Sequence, residues 1–226
     1  MLQQLVDIDQ QLTLFMNGSS SIFVDEFALE ATSTLTWIPM AIAFLYLVMH
    51  ANRGRDVFSI VMAVALCVLL ADQIASGIFK PLFARYRPSQ DPELMHLVDI
   101  VNGYRGGRYG FFSSHAANTF ALATFSSFLI RHKGFTCAIF SWALLNCWTR
   151  VYLGVHYVGD ILAGMVCGTI VGGCVYALLL RCLLRRHSYS NTNIQTSTGY
   201  SYQDISIVIA VLLLSYLYCI IAAFIQ

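Results

Sequence analysis

Two histidines, an aspartate, a lysine and two arginines stand where apolar runs of the chain begin or end. Lys80 and Arg87 flank "PLFARY"; Ser113, Ser114 and His115 precede a long apolar run; Arg150, His156 and Asp160 lie within "RVYLGVHYVGD". Ionisable groups in or against hydrocarbon are costly, and by default they mark a functional site. Two guanidiniums and an ammonium directed at one point make a strong anion site, since arginine offers a planar fork that fits phosphate. Ser113 or Ser114 reads as a helix N-cap, and the free amides behind it favour a bound phosphate. On a helix, His156 and Asp160 at i and i+4 share a face. The carboxylate then orients one ring nitrogen and leaves the other free as a nucleophile. Two histidines at one phosphate site suggest a division of labour, one attacking phosphorus and one protonating the departing oxygen. This is phosphoryl transfer by positioning and charge stabilisation, with no Asp/Glu/His cluster suited to two metals and no cofactor implied.

The elements that must position these groups are membrane helices. Of 226 residues 58% are hydrophobic and 11% charged, against about 25% charged in a soluble domain. Net charge is +1, so no nucleic-acid-binding surface is implied. The seven cysteines are odd in number, lie in or beside apolar runs and form no C-x-x-C pair, which reads as small core residues. The first sixteen residues are acidic and lack the basic start of a cleavable signal.

A spanning helix needs roughly 20 mainly apolar residues. Runs near that length occupy 35–50, 57–79, 114–130, 135–151, 158–182 and 205–225. The expected fold is therefore all-α: a polytopic membrane bundle of about six spans, preceded by N-terminal helices over 1–34. In the first of these, Leu5, Ile8, Leu12 and Phe15 repeat at helical spacing. That suits either an interfacial helix or one packed on the bundle. The core is expected over 35–186, then a polar flexible linker over 187–204 and a last helix over 205–226.

With six spans, connections one, three and five carry Arg53, Arg55, Arg131, Lys133, Arg181, Arg185 and Arg186. The positive-inside rule puts them in the cytoplasm, with the termini and the motif loops outside an inner membrane.

The three spacings resemble the type 2 phosphatidic acid phosphatase family, which shares its site with vanadium haloperoxidases. The family's first motif, a lysine, six residues and Arg-Pro, is matched in full by Lys80 and Arg87-Pro88. Its third, Ser-Arg, five residues, His, three residues and Asp, reads here Thr149-Arg150, His156 and Asp160. Its second, Pro-Ser-Gly-His, appears as Phe112-Ser113-Ser114-His115, with proline and glycine replaced. The resemblance covers roughly residues 57–182. It implies a metal-independent membrane lipid phosphatase. Lys80, Arg87, Arg150, Ser113 and the amides of Ser114 and His115 would bind phosphate oxygens, and a hydroxyl at Ser114 would add a further donor. His156 would be the nucleophile oriented by Asp160, and His115 the general acid. Undecaprenyl diphosphate, lipid A, phosphatidylglycerophosphate and phosphatidate remain open as substrates. A lipid-to-lipid phosphotransferase and a non-catalytic lipid-binding or transport protein are the alternatives.

Other residues carry secondary readings. Asp72 interrupts a span two turns before Lys80 and would support a cation of the site. Arg105 and Arg108, among glycines in "NGYRGGRYG", would bind a second phosphate or a sugar headgroup, or else belong to a solvated loop. Gly164, Gly168 and Gly172 repeat every fourth residue, the spacing of close helix packing. His96 reads as an exposed bystander.

Overall fold

A computed structural model describes residues 2–182 and 194–225. Helix α1 (Leu2–Met16) presents Leu5, Ile8, Leu12 and Phe15 outward at 48–88% exposure. Its polar face is the one that packs on the protein. This is the arrangement of an interfacial helix and excludes a buried apolar stripe. Helix α2 (Ile22–Thr32) and helix α3 (Ile38–Ala51) meet at a 66° bend. Two side chains close the bend, Trp37 Nε1 donating to the Ala31 carbonyl at 3.0 Å and Thr36 Oγ1 to that of Glu30 at 2.9 Å.

Helix α4 (Gly54–Asp72) runs through a π-turn at Gln73–Phe79 into α5 (Lys80–Phe83), one continuous span ended by Ala84 in the left-handed region. Helices α6 (Ser114–Ile130), α7 (Lys133–Tyr152), α8 (Val158–Cys182) and α9 (Tyr202–Ile225) complete the bundle. Among the described residues there is no strand, only two isolated antiparallel bridges.

Helix α6 is buried on most of its surface and lacks a distinct polar face, so it occupies the centre. The glycine stripe of α8 lies on it. A Cβ at Gly164 would stand 2.6 Å from the Ser113 carbonyl, and at Gly168 or Gly172 it would strike the carbonyl of Ala117 or Ala121. The stripe therefore packs within one chain, and it sets α8 against the helix that bears His115.

By length and apolarity, three described helices suffice to cross a membrane, and the bent α2–α3 pair makes a fourth. The expected six is not reached on that measure. Helix α6 has 17 residues, at the short end of what the bilayer core requires, and α7 carries Asn146, Thr149 and Arg150 near its end.

The linker also differs from expectation. Its first residues, 187–193, lie outside the described ones. From Ile194 the chain makes a tight turn with Thr196 and Tyr200 3% and 1% exposed, and α9 already begins at Tyr202. Thr198 Oγ1 donates at 3.0 Å to the Ile130 carbonyl, satisfying an orphan acceptor at the end of α6.

Candidate active site

The motif residues gather at one end of the bundle, where α5 ends and α6 and α8 begin. Ser113 is the N-cap of α6. Its buried hydroxyl accepts from the Ala116 amide at 3.3 Å, and its own amide donates to the Asp160 carbonyl at 3.1 Å. The cap is thus Ser113, not Ser114, and it binds the second motif to the third. Ser114 Oγ instead receives Lys80 Nζ at 3.1 Å. Phe112, in the place of the family's proline, is 3% exposed and packs on Phe79 with ring centroids 4.9 Å apart.

Lys80 also donates to Ser76 Oγ at 3.0 Å, and Ser76 donates to Asp72 Oδ1 at 3.2 Å. Asp72 is therefore linked to the lysine through one serine. All three residues share one face because they follow at four-residue intervals along α4 and the π-turn.

Arg87 lies in a short two-stranded turn. Its Nε donates to the Tyr109 carbonyl at 3.2 Å, and Tyr86 and Tyr109 bridge. Gly106 and Gly110 are needed there: a Cβ on Gly106 (φ +66°) would strike the Arg87 guanidinium, and one on Gly110 would stand 3.0 Å from Asp160 Oδ2. Gly106 and Gly110 thus make room for site residues.

Arg150 is 2% exposed, and its Nη1 donates to Thr32 Oγ1 at 2.6 Å and to the Tyr104 hydroxyl at 2.9 Å. Its Nε has no acceptor. A buried guanidinium N–H without a partner is rare and calls for an explanation, and an anion supplies one.

His156 precedes α8 and does not lie on it, in a turn that follows Gly154 (φ +65°). The expectation that His156 and Asp160 share a helical face is corrected accordingly. Asp160 is the residue three beyond the Tyr157 cap, and its Oδ2 accepts the Tyr157 amide at 3.1 Å in capping-box fashion. The same oxygen stands 3.4 Å from His156 Nδ1, and both side chains are at most 1% exposed. Burial, together with the charges of Arg87, Arg150 and Lys80, holds the His156 pKa well below 6.5. This environment favours the neutral ring, the form able to act as a nucleophile. His115, in the first turn of α6, is exposed and within electrostatic range of Arg150, His156, Lys80 and Arg87.

The two loop arginines do not join this group. Arg105 Nη1 is tied to the Ser89 carbonyl at 2.9 Å. Arg108 is exposed, hydrogen-bonded to the Tyr86 hydroxyl at 2.8 Å and lying over the Tyr86 and Tyr109 rings. Sequence reasoning missed Arg85, whose Nη1 donates to Asp160 Oδ1 at 2.9 Å and whose Nη2 donates to Asp9 Oδ2 at 2.8 Å. Arg85 stands inside "PLFARY", between Lys80 and Arg87, yet nothing local distinguishes it from Arg87. Asp9 and Thr32 were also missed. Their signal was faint: polar residues on helices read as peripheral.

Comparisons with known proteins place the chain in a family and a fold. The family model described as the PAP2 superfamily matches residues 56–184. A lipid A 4'-phosphatase of Porphyromonas gingivalis is 40% identical over 179 residues, spanning 79% of this chain and 76% of that protein. A lipid A 4'-phosphatase of Bacteroides thetaiotaomicron is 41% identical over 190 residues, spanning 83% and 84%. The crystal structure of a transmembrane PAP2-type phosphatidylglycerolphosphate phosphatase from Bacillus subtilis shares the fold, with a TM-score of 0.59 at 18% identity over 81% of this chain and 90% of that one. The chain belongs to the PAP2 superfamily.

Proposed function

We propose that this multi-pass PAP2 protein removes a phosphate monoester from a membrane lipid with a saccharide headgroup, of the lipid A 4'-phosphate kind, by way of a phosphohistidine. One observation carries the mechanism: a buried His156 has Asp160 Oδ2 3.4 Å from its Nδ1, while burial and the charges of Arg87, Arg150 and Lys80 act on the ring and favour its neutral form. The three cations take the phosphate oxygens, and the α6 amides behind Ser113 add donors to them. His156 Nε2 attacks phosphorus in line, and the bond from phosphorus to the lipid oxygen breaks. His115, whose pKa desolvation and the nearby cations otherwise lower to about 3, is protonated once the phosphate dianion is bound among those cations, and gives that oxygen its proton. Water, giving its proton to His115, then attacks phosphorus, the P–N bond breaks, and phosphate leaves with His156 restored. Charge stabilisation comes from side chains throughout.

The choice of lipid is supported by the two relatives named as lipid A 4'-phosphatases, both at about 40% identity and spanning three quarters or more of each chain. Arg108 on its pair of tyrosines is an open aromatic platform suited to a sugar face. Ile78, Leu82 and Phe83 are 56%, 72% and 56% exposed beside Lys80, so a lipid whose tails stay in the bilayer reaches the cations laterally. Arg53, Arg55, Arg131 and Lys133 lie at the opposite ends of the helices, which favours a site on the outer face of an inner membrane.

The test is phosphate release by the detergent-purified protein from a panel of lipid phosphates in EDTA, beside His156→Ala. Release from lipid A 4'-phosphate that survives EDTA and vanishes in the variant is the expected result. No release from any lipid by folded protein overturns hydrolysis. Phosphate appearing on an added acceptor lipid would instead identify a phosphotransferase.

A further inference from the structure

Helix α1 has two working faces. Its apolar stripe points outward, while Asp9 and Thr13, one turn apart, point at the first turn of α8. Asp9 Oδ1 accepts the Gly159 amide at 2.7 Å, and Thr13 Oγ1 accepts the Val158 amide at 3.1 Å. These are N-terminal amides with no partner inside α8. A separate helix therefore caps the helix that carries Asp160.

The other oxygen of Asp9 enters the site. Arg85 Nη2 donates to it at 2.8 Å, and Arg85 Nη1 donates to Asp160 Oδ1 at 2.9 Å, with the guanidinium 3.9 Å over the Tyr157 ring. Both carboxylates are well shielded, at 16% and 0% side-chain exposure. The planar fork is thus fixed at both tips and on one face. This matters for Asp160, because the oxygen held by Arg85 is not the one facing His156. With Oδ1 occupied, Oδ2 is left directed at His156 Nδ1 and the Tyr157 amide. Asp9 also shares the guanidinium charge. Without it, Arg85 would draw on Asp160 alone and weaken its hold on an imidazole that becomes cationic when phosphorylated.

We propose that Asp9 and Arg85 are positioning residues for dephosphorylation: Asp9, carried on a membrane-interfacial helix, fixes Arg85, and Arg85 fixes Asp160 for His156. The inference rests on the phosphohistidine reading above. A second link from the N-terminal segment, Thr32 to Arg150 at 2.6 Å, runs the same way. The segment ahead of the matched family region is therefore part of the site's frame.

The test is a double-mutant cycle on the full chain in detergent with Asp9→Asn, Arg85→Gln and both. Asparagine keeps an oxygen for the Gly159 amide and removes both the charge and the acceptor that Arg85 uses. Arg85→Gln is expected to lower kcat about 10–100-fold, the usual cost of losing an orienting partner, with KM within about twofold. Asp9→Asn lowers kcat less, and the double variant equals Arg85→Gln alone. Arg85→Lys, a charge without a fork, does not restore kcat. Losses that multiply across the cycle, or that follow melting temperature, overturn the proposal. An activity-independent readout accompanies it: the ring Nδ1 proton of His156 by NMR, which reports the bond to Asp160. That signal is expected to shift in Arg85→Gln and Asp9→Asn, and an unchanged signal counts against the proposal. A wild type inactive on every lipid phosphate would defeat the phosphatase reading, and the Nδ1 signal alone would then decide on Asp9 and Arg85.

Discussion

Lys80 Nζ meets Ser114 Oγ at 3.1 Å, joining the end of one membrane helix to the first turn of another. With Ser76 as its second acceptor, the ammonium has two of its three N–H groups assigned and one left for a ligand. The lysine proposed to bind phosphate is thus aimed in advance of any ligand, which is where preorganised charge gains its catalytic value.

Removing that charge should be costly, and loosening its support less so. Lys80→Met is expected to lower kcat/KM about 10²–10³-fold, as loss of a transition-state donor does. Ser76→Ala or Asp72→Asn should cost about 10-fold. Steady-state kinetics on one lipid phosphate checks the order; equal losses for all three would remove the distinction between ligand and support.

The general acid is tested through the leaving group. His115→Ala should slow release from a sugar phosphate by about 10²–10⁴-fold, the usual contribution of a positioned acid. Nitrophenyl phosphate, whose departing oxygen needs no proton, should lose far less. Similar losses on both substrates would argue that His115 only binds.

His156 predicts a pH dependence. Burial and three nearby cations lower its pKa below the ordinary 6.5 in the folded protein. The unfolded chain, with the ordinary value, therefore binds the proton first on acidification. The contribution of His156 to stability is full above about 6.5 and is lost as pH falls from there towards the lower folded value. Ring-labelled NMR of the phosphate-free protein should show His156 neutral through the range in which an exposed histidine titrates. His156→Ala should reduce the acid sensitivity of the melting temperature.

The glycines divide by what a side chain would meet. A Cβ at Gly168 strikes the Ala117 carbonyl, whereas at Gly107 it meets nothing within 4 Å. Gly168→Ala is expected to destabilise the bundle by about 1–3 kcal/mol, the range for overpacking. Gly107→Ala should leave both melting temperature and activity near wild type. Thermal unfolding in detergent distinguishes the two.

Much of the site was legible without coordinates, because ionisable residues at the ends of apolar runs have few other reasons to be there. Lys80, Arg87, Ser113, His115, Arg150, His156 and Asp160 stand out on type and spacing alone. The apolar runs likewise located the helices to within a few residues. The sequence left two outcomes where a local pattern fits both. Ser113 and Ser114 were equal candidates for the cap, and the backbone at the start of α6 chose Ser113. The i, i+4 spacing of His156 and Asp160 suggested a shared helix, yet α8 starts between them.

What the sequence determined by itself was the solvent, the helical class, and the chemistry that six polar side chains in apolar surroundings can perform. These follow from composition and short-range spacing, which burial energetics constrain directly. The tertiary structure decided which charges meet. Arg85 and Arg87 are two residues apart in one motif, but one holds Asp160 and Asp9 while the other faces the site's cations. Asp9 is distant from both in sequence. Such pairings depend on how α1 and α8 lie against the loop after α5, and no periodicity along the chain encodes a contact made across that distance.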